Sequence, residues 1–243
     1  MSKLLWDQTG DRVYETGVDK CVLFTEKETV KGSLKAFTKG VAWNGITAIT
    51  ESPSGADAND IYADNIKYAT LRAAETYGST VEAYTYPDEF AECDGSAEPV
   101  QGVRIGQQSR KPFGLAYRTD VGDDTDSSVD PDNNYKLHLT WNATASPSEK
   151  AYNTINESPE AITFSWELST TPIAVPGYKP TASLVIDTTK LDEEGKTRLG
   201  LLEDILYGTD GSENDNVGTD PYLPTPAAVI NLMKTGKLTG VTD

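Results

Sequence analysis

The chain has 243 residues, 38 of them acidic against 21 basic, for a formal net charge of −17. Nucleic-acid affinity comes mainly from Lys and Arg displacing counterions at phosphates, so this balance argues against a nucleic-acid-binding protein. Cys21 and Cys93 are too few and too far apart for a disulfide framework or a zinc site, and no apolar run is long enough to cross a membrane.

From the N-terminus, residues 1–17 carry Trp6 among polar residues and read as an arm that docks on something else. The opening residues lack the apolar centre of a signal peptide, which predicts a product made in the cytoplasm. A first strand is expected within Arg12 to Phe24, followed by a weakly patterned stretch to Gly40. Val41 to Asn44 alternates, and Gly45 stands where a bulge shifts register before Ile46 to Ile49. Glu51 to Asn65 reads as a long polar loop, because Ser52-Pro53-Ser54-Gly55 is strong turn chemistry and Asp57, Asp60 and Asp64 add charge. Ile66 to Leu71 and Val81 to Tyr86 are predicted strands, and Pro87 to Ala91 a single helical turn. Gly95 to Gln108 reads as irregular, Phe113 to Tyr117 as strand, and Asp120 to Asn134 as an acidic loop.

The clearest signal lies within Ser158 to Thr188. Ile162, Phe164, Trp166 and Leu168 take the even positions and polar residues the odd ones, which makes a β-strand with one wet face. Tyr135 to Trp141 shows the same alternation and is expected to pair with it, and Ala182 to Ile186 repeats it. Ser146 to Glu149 has a capping-box arrangement and predicts a short helix between the first two of these strands. Such two-faced strands belong in antiparallel sheets. After Thr188 the period becomes helical: Leu199, Leu202, Ile205 and Leu206 lead to a stop at Gly208, although Gly195 and Gly200 weaken the first half. A second acidic loop follows, and Thr225-Pro226 opens a last helix with Val229, Ile230 and Met233 on one side and Gly236 at its end. The expected architecture is a single α+β domain over 1–243, mainly antiparallel β, with helices in a C-terminal part, residues 189–236.

Chemistry-bearing patterns are sparse. His138 is the single histidine, and on the polar face of its strand it reads as an exposed sheet residue. Asp120, Asp123, Asp124, Asp126, Asp130 and Asp132 suggest calcium, but counting from Asp124 the glycine and glutamate of an EF-hand loop would fall on Val129 and Tyr135, so a solvated loop is favoured. No nucleophile elbow or phosphate-binding glycine loop is present, and neither an enzymatic activity nor a cofactor is expected.

Several blocks, in order along most of the chain, resemble the major tail protein of long-tailed bacteriophages. They are Gly40-Val41-Ala42-Trp43-Asn44-Gly45, Thr50 to Gly55, Tyr62 to Tyr68, Glu82 to Gly95, Ala145 to Tyr152, and Ser158 to Glu167. Cys21 to Lys39 and the acidic insert at 211–218 depart from the pattern. The resemblance implies an antiparallel β-sandwich or barrel-like tail tube subunit with flanking helices, which forms hexameric rings, stacks them into a tube around a tape-measure protein, and meets tail terminator and distal tail proteins. It also implies a place in the virion tail, with phage DNA passing through the lumen unbound and no membrane partner. Net acidity suits a conduit for DNA. Residues 51–65 are then expected to reach the next ring, through Ser54, Asp57, Asp60, Ile61 and Tyr62. The competing expectation is a non-enzymatic β-sandwich binding module, such as a virion decoration or a carbohydrate-binding protein; the spread of Trp6, Trp43, Trp141 and Trp166 disfavours a concave aromatic site.

Overall fold

A computed structural model describes residues 4–6, 8–10, 12–125, 130, 132–155, 161–210 and 218–239. In chain order the strands are β1 (Tyr14–Lys27), β2 (Lys35–Ala42), β3 (Ile46–Glu51), β4 (Ser54–Gly55), β5 (Ala58–Ala63), β6 (Ile66–Arg72), β7 (Glu75–Thr76) and β8 (Gly78–Ala83). A 3-10 turn at Asp88–Glu92 precedes β9 (Ala97–Val100), β10 (Val103–Ile105), β11 (Phe113–Gly122), β12 (Tyr135–Ala145), β13 (Phe164–Thr170) and β14 (Ser183–Asp187). Helix α1 (Glu193–Tyr207), β15 (Leu223–Pro224) and helix α2 (Pro226–Thr235) complete the order.

The main sheet is antiparallel and nine-stranded, in the order β15-β2-β1-β11-β12-β13-β8-β3, with β14 also paired to β12. Only Trp43, Asn44 and Gly45 join β2 to β3, six strand positions apart. Laid flat, six spacings would cover roughly 29 Å, whereas a link of this length reaches about 14 Å. The sheet must therefore curl until its ends approach, as the predicted barrel-like form requires. The Trp43 N–H donates to the Cys21 carbonyl of β1 (2.8 Å) and its indole N–H to the Thr85 carbonyl (2.9 Å), which pins the crossing.

Curling divides the apolar side chains between two cores. Outside the curl, Val22, Phe24, Leu137, Leu139 and Trp141 are covered by Leu199, Leu202 and Leu206 of α1 and Val229 and Leu232 of α2. Inside it, Leu23, Val81, Phe113, Leu115, Trp166 and Leu168 enclose Trp43 and Phe90. In β13 the even positions Trp166 and Leu168 face inward and Glu167 is exposed, following the sequence alternation.

Several expectations are corrected. Lys136–Thr140 of β12 pairs with β14, and only Ala143–Ala145 reaches β13. The cause is Asn142, whose positive φ of 49° and adjacent register shift against β11 turn the strand so that its two halves meet different neighbours. Residues 146–155 form no helix; 156–160, where the sequence signal of the next strand begins, lie outside the described residues. Gly95 to Gln108 contains a hairpin, β9–β10. The last residues of the expected arm, from Tyr14, belong to β1, and Lys35–Ala42 is strand rather than unpatterned chain. The register shift predicted at Gly45 falls one step later, between Ile46 and Ala48.

Helix α1 forms over its whole predicted length, Gly195 included. The Asp192 side chain caps it by accepting from the Gly195 N–H at 2.7 Å, and a Cβ at Gly195 would lie 3.1 Å from that carboxylate and 3.2 Å from Leu191 Cβ. Close packing at the cap thus outweighs a propensity cost of about 1 kcal/mol. In α2, Thr225 caps the first turn and Gly236 ends the helix at φ +71°. Its buried positions are Pro226, Ala228, Val229 and Leu232, with Ile230 and Met233 only half-buried.

Candidate functional site

The chain leaves the sheet at Glu51 and returns at Gly78, and the Ser52 N–H donating to the Gly78 carbonyl (2.8 Å) closes the foot of this excursion. Residues 51–65 are therefore not a loop. Ser54–Gly55 pairs with Glu75–Thr76 as a short stem, and β5 pairs with β6 from Ala58–Arg72 to Ala63–Ile66. The connecting residues Asp64 and Asn65 both have positive φ, 51° and 60°, as a two-residue type I′ hairpin turn requires.

Register gives this hairpin two unlike faces. Asp60 and Thr70 are cross-strand partners. Asp60 accepts from Thr70 Oγ1 (2.7 Å) and from Lys67 Nζ (2.8 Å), bonds that hold its carboxyl below the usual range. The opposite face presents Ile61, Ala63, Ile66, Ala69 and Leu71, with Asn59 opposite Leu71 at its base, and Ile66 and Leu71 are more than half exposed. Alternating side chains put one set of residues on each face of a strand. Ile61 consequently stands apart from Asp60 and Tyr62, Ser54 is on the stem, and Asp57 is exposed between the two paired segments. The five residues expected to act together share one projection but no single face. Ile66 to Leu71 was read from the sequence as a strand, which stands as β6, but Ile66, Ala69 and Leu71 were not named as contact residues; the Asp64-Asn65 pair was the available signal for the hairpin.

A smaller hairpin repeats the arrangement. In β9–β10, Val100 opposes Val103 and Ala97 opposes Ile105. Glu98 accepts from the Gly102 N–H (2.7 Å), and Arg104 is held by Glu98 (3.6 Å) and by Asp88 of the 3-10 turn. Val100, Val103 and Ile105 remain about half exposed or more.

The outward face of β13, β8 and β3 is the third feature. Ser165 lies beside Glu82, Glu167 beside Thr80, and Thr80 beside Thr50, while Ser169 lies beside Thr144 of β12. Apart from Ala48 opposite Glu82, these positions carry hydroxyls and carboxylates, with neither lysine nor arginine among them.

His138 is not an exposed sheet residue. The curl brings Glu51 of β3 over it, so that its ring stacks on Tyr117 (centroids 4.7 Å apart, planes at 6°) and its Nε2 lies 3.0 Å from Thr119 Oγ1. The Tyr117 hydroxyl donates to Glu51 Oε1 at 2.8 Å, and His138 Nδ1 stands 3.4 Å from the same oxygen. Burial lowers the imidazole pKa, with Glu51 and Glu15 pulling the other way.

Other chemistry is constrained. Both thiols are buried and pushed up to about 12 by desolvation, which disfavours the thiolate a nucleophile needs. A cleft of about 630 Å³ between the end of β1 and the 3-10 turn is lined by salt-bridged groups, Lys39 with Glu89 (3.6 Å) and Lys111 with Glu92 (2.5 Å). Among the described residues no group of three or more His, Cys, Asp and Glu side chains is placed to hold a metal, and no helix is long and apolar enough to cross a membrane. In the acidic loop, Asp123 accepts from the Thr125 N–H and Asp130 from Asn133 Nδ2, both at 2.8 Å. Asp126 and the second acidic insert at 211–217 lie outside the described residues.

No family model and no curated protein sequence matches the chain. Among solved structures it is similar to a chain of the extended sheath–tube complex of an extracellular contractile injection system, PVC, at 10% identity and a TM-score of 0.31, covering 72% of this chain and 93% of that one. It is also similar to a chain of the tube-terminating cap of the anti-feeding prophage, at 11% identity and a TM-score of 0.32, covering 72% of this chain and 92% of that one. TM-scores this low do not establish a common fold.

Proposed function

We propose that this protein is a structural, non-enzymatic subunit of a phage-type tail tube, which assembles with copies of itself into stacked hexameric rings. The observation that carries the reading is the β5–β6 hairpin, which projects from the sheet with one polar face tied internally and one apolar face open to solvent. A two-stranded ribbon is marginal by itself in water, and an exposed apolar face on one suits contact with another molecule. In this reading the hairpin touches the next ring, and the hydroxyl and carboxylate face of β13, β8 and β3 lines the channel. There it offers no cation to retain the phosphates of passing DNA. Tape-measure, terminator and distal tail proteins are the further partners, and the virion tail is its place.

Light scattering and negative-stain electron microscopy test the proposal together. The wild-type protein is expected to form rings or tubes, more readily at high salt because screening relieves repulsion between subunits of charge −17. Ile66→Glu is expected to abolish stacking with unchanged thermal unfolding, since Ile66 is exposed. A mass fixed at one subunit at every concentration and salt, or Ile66→Glu tubes like those of the wild type, overturns it.

A further inference from the structure

The two exposed hairpins lie at opposite ends of one strand. The β5–β6 excursion returns to the sheet at Gly78, the first residue of β8, while β9–β10 follows Ala83, its last residue, by way of the 3-10 turn. Six residues of strand separate those ends by about 20 Å. The β1 residues nearby agree: Glu15, near the start of β1, is tied through Lys136 to the His138 end of the curl, whereas Lys27, at its finish, lines the cleft beside the 3-10 turn.

Each hairpin has its charged face engaged within the subunit and its apolar face free. Each is also electrically neutral, with Asp60 and Asp64 against Lys67 and Arg72 in one and Glu98 against Arg104 in the other. In a chain of net charge −17, copies repel over most of their surface. Neutral apolar ribbons at the two ends are where close approach costs least.

We propose that the apolar face of the β5–β6 hairpin, centred on Ile66, docks on the β9–β10 hairpin, centred on Val103, of the next copy along the tube. This rests on the stacking reading above and adds the complementary surface. Two unlike patches at opposite ends make a heterologous contact, which repeats in one direction instead of closing a pair. Burial of these side chains supplies the attraction, and the tied polar faces keep each ribbon oriented with its apolar side outward.

Cysteine cross-linking under a mild oxidant tests it, because Cys21 and Cys93 are buried and the introduced thiols are the accessible ones. An equimolar mixture of Ile66→Cys and Val103→Cys proteins is expected to give a covalent dimer containing one of each, and neither protein alone should cross-link. The double variant is expected to give a ladder of covalent multimers. Cross-linking of Ile66→Cys to itself, of Val103→Cys to itself, or no cross-link in the mixture overturns the pairing. If the cross-link fails while Ile66→Glu still blocks assembly, the pairing of these hairpins falls and stacking through β5–β6 stands. If Ile66→Glu assembles normally, the stacking reading falls with it.

Discussion

Trp141 and Trp166 are both fully buried, but one is held by neutral partners and the other by charge. Trp141 lies in the helix-covered core, and its indole N–H donates to the Pro224 carbonyl at 2.8 Å. Trp166 lies inside the curl, packed against Phe90 (5.1 Å) and Trp43 (5.6 Å), and its N–H donates to Asp94 Oδ1 at 3.2 Å. The Asp94 side chain is 8% exposed and is matched by Lys150 at 2.6 Å, which stands over the rings of Tyr86, Phe164 and Trp166. The helix-covered core is closed by apolar helix faces, so its stability is spread over many contacts. The inner core has no α-helix over it among the described residues and relies on the 3-10 turn that carries Phe90, an aromatic cluster and one enclosed carboxylate. The second solution concentrates its vulnerability.

The largest expected effect follows from that concentration. Asp94→Ala leaves the Lys150 ammonium and the Trp166 N–H without their acceptor and should destabilise the protein by about 3 kcal/mol in urea unfolding. Lys150 is more exposed than Asp94 and can turn to water, so Lys150→Ala should cost less. Equal losses from the two would remove the asymmetry argued for the inner core.

A finer comparison uses the tryptophans themselves. Trp166→Phe and Trp141→Phe remove the same atoms, but the first breaks a bond to a carboxylate and the second a bond to a carbonyl. Hydrogen bonds to charged groups contribute about twice as much, so Trp166→Phe should cost about 1 kcal/mol more than Trp141→Phe. In an Asp94→Ala background that difference should vanish. Its persistence would assign it to packing instead.

What the sequence made legible follows the same division. Strand β13 could be read because its even side chains meet one core and its odd ones meet water, and α1 because its apolar residues recur at helical spacing. The pairing of β12 could not, because the turn at Asn142 depends on a backbone angle that side-chain alternation does not reveal. Strand β6 was read, as Ile66 to Leu71, but β5 and the β9–β10 hairpin escaped for a different reason. They meet no core, so no burial imposed a period on Ile61, Val100 or Val103, and turn residues dominated the reading. His138 was misplaced because the curl that lays Glu51 across it is set by a three-residue link between strands six positions apart in the sheet.

His138 also gives the smallest expected effect, one that separates the polar mouth of the curl from the two cores. Its surroundings are Glu51 from β3, Glu15 from β1, Tyr117 and Thr119 from β11, and Lys136 on its own strand. Burial outweighs the two carboxylates and sets the folded pKa below the ordinary histidine value of 6.5. Between those two values the unfolded chain binds a proton that the folded one does not, so stability falls as pH drops through 6.5 and levels off below the folded pKa. In urea unfolding from pH 7.5 to 5.5, the wild type should lose stability and His138→Gln should lose less. The single imidazole resonance should titrate below 6.5 in the folded protein. A titration at or above 6.5, or the same slope in His138→Gln, would show that Glu51 holds the proton on the ring more firmly than burial repels it. The mouth would then be an ion pair like that of Asp94 and Lys150, and charge would close the inner core at both places.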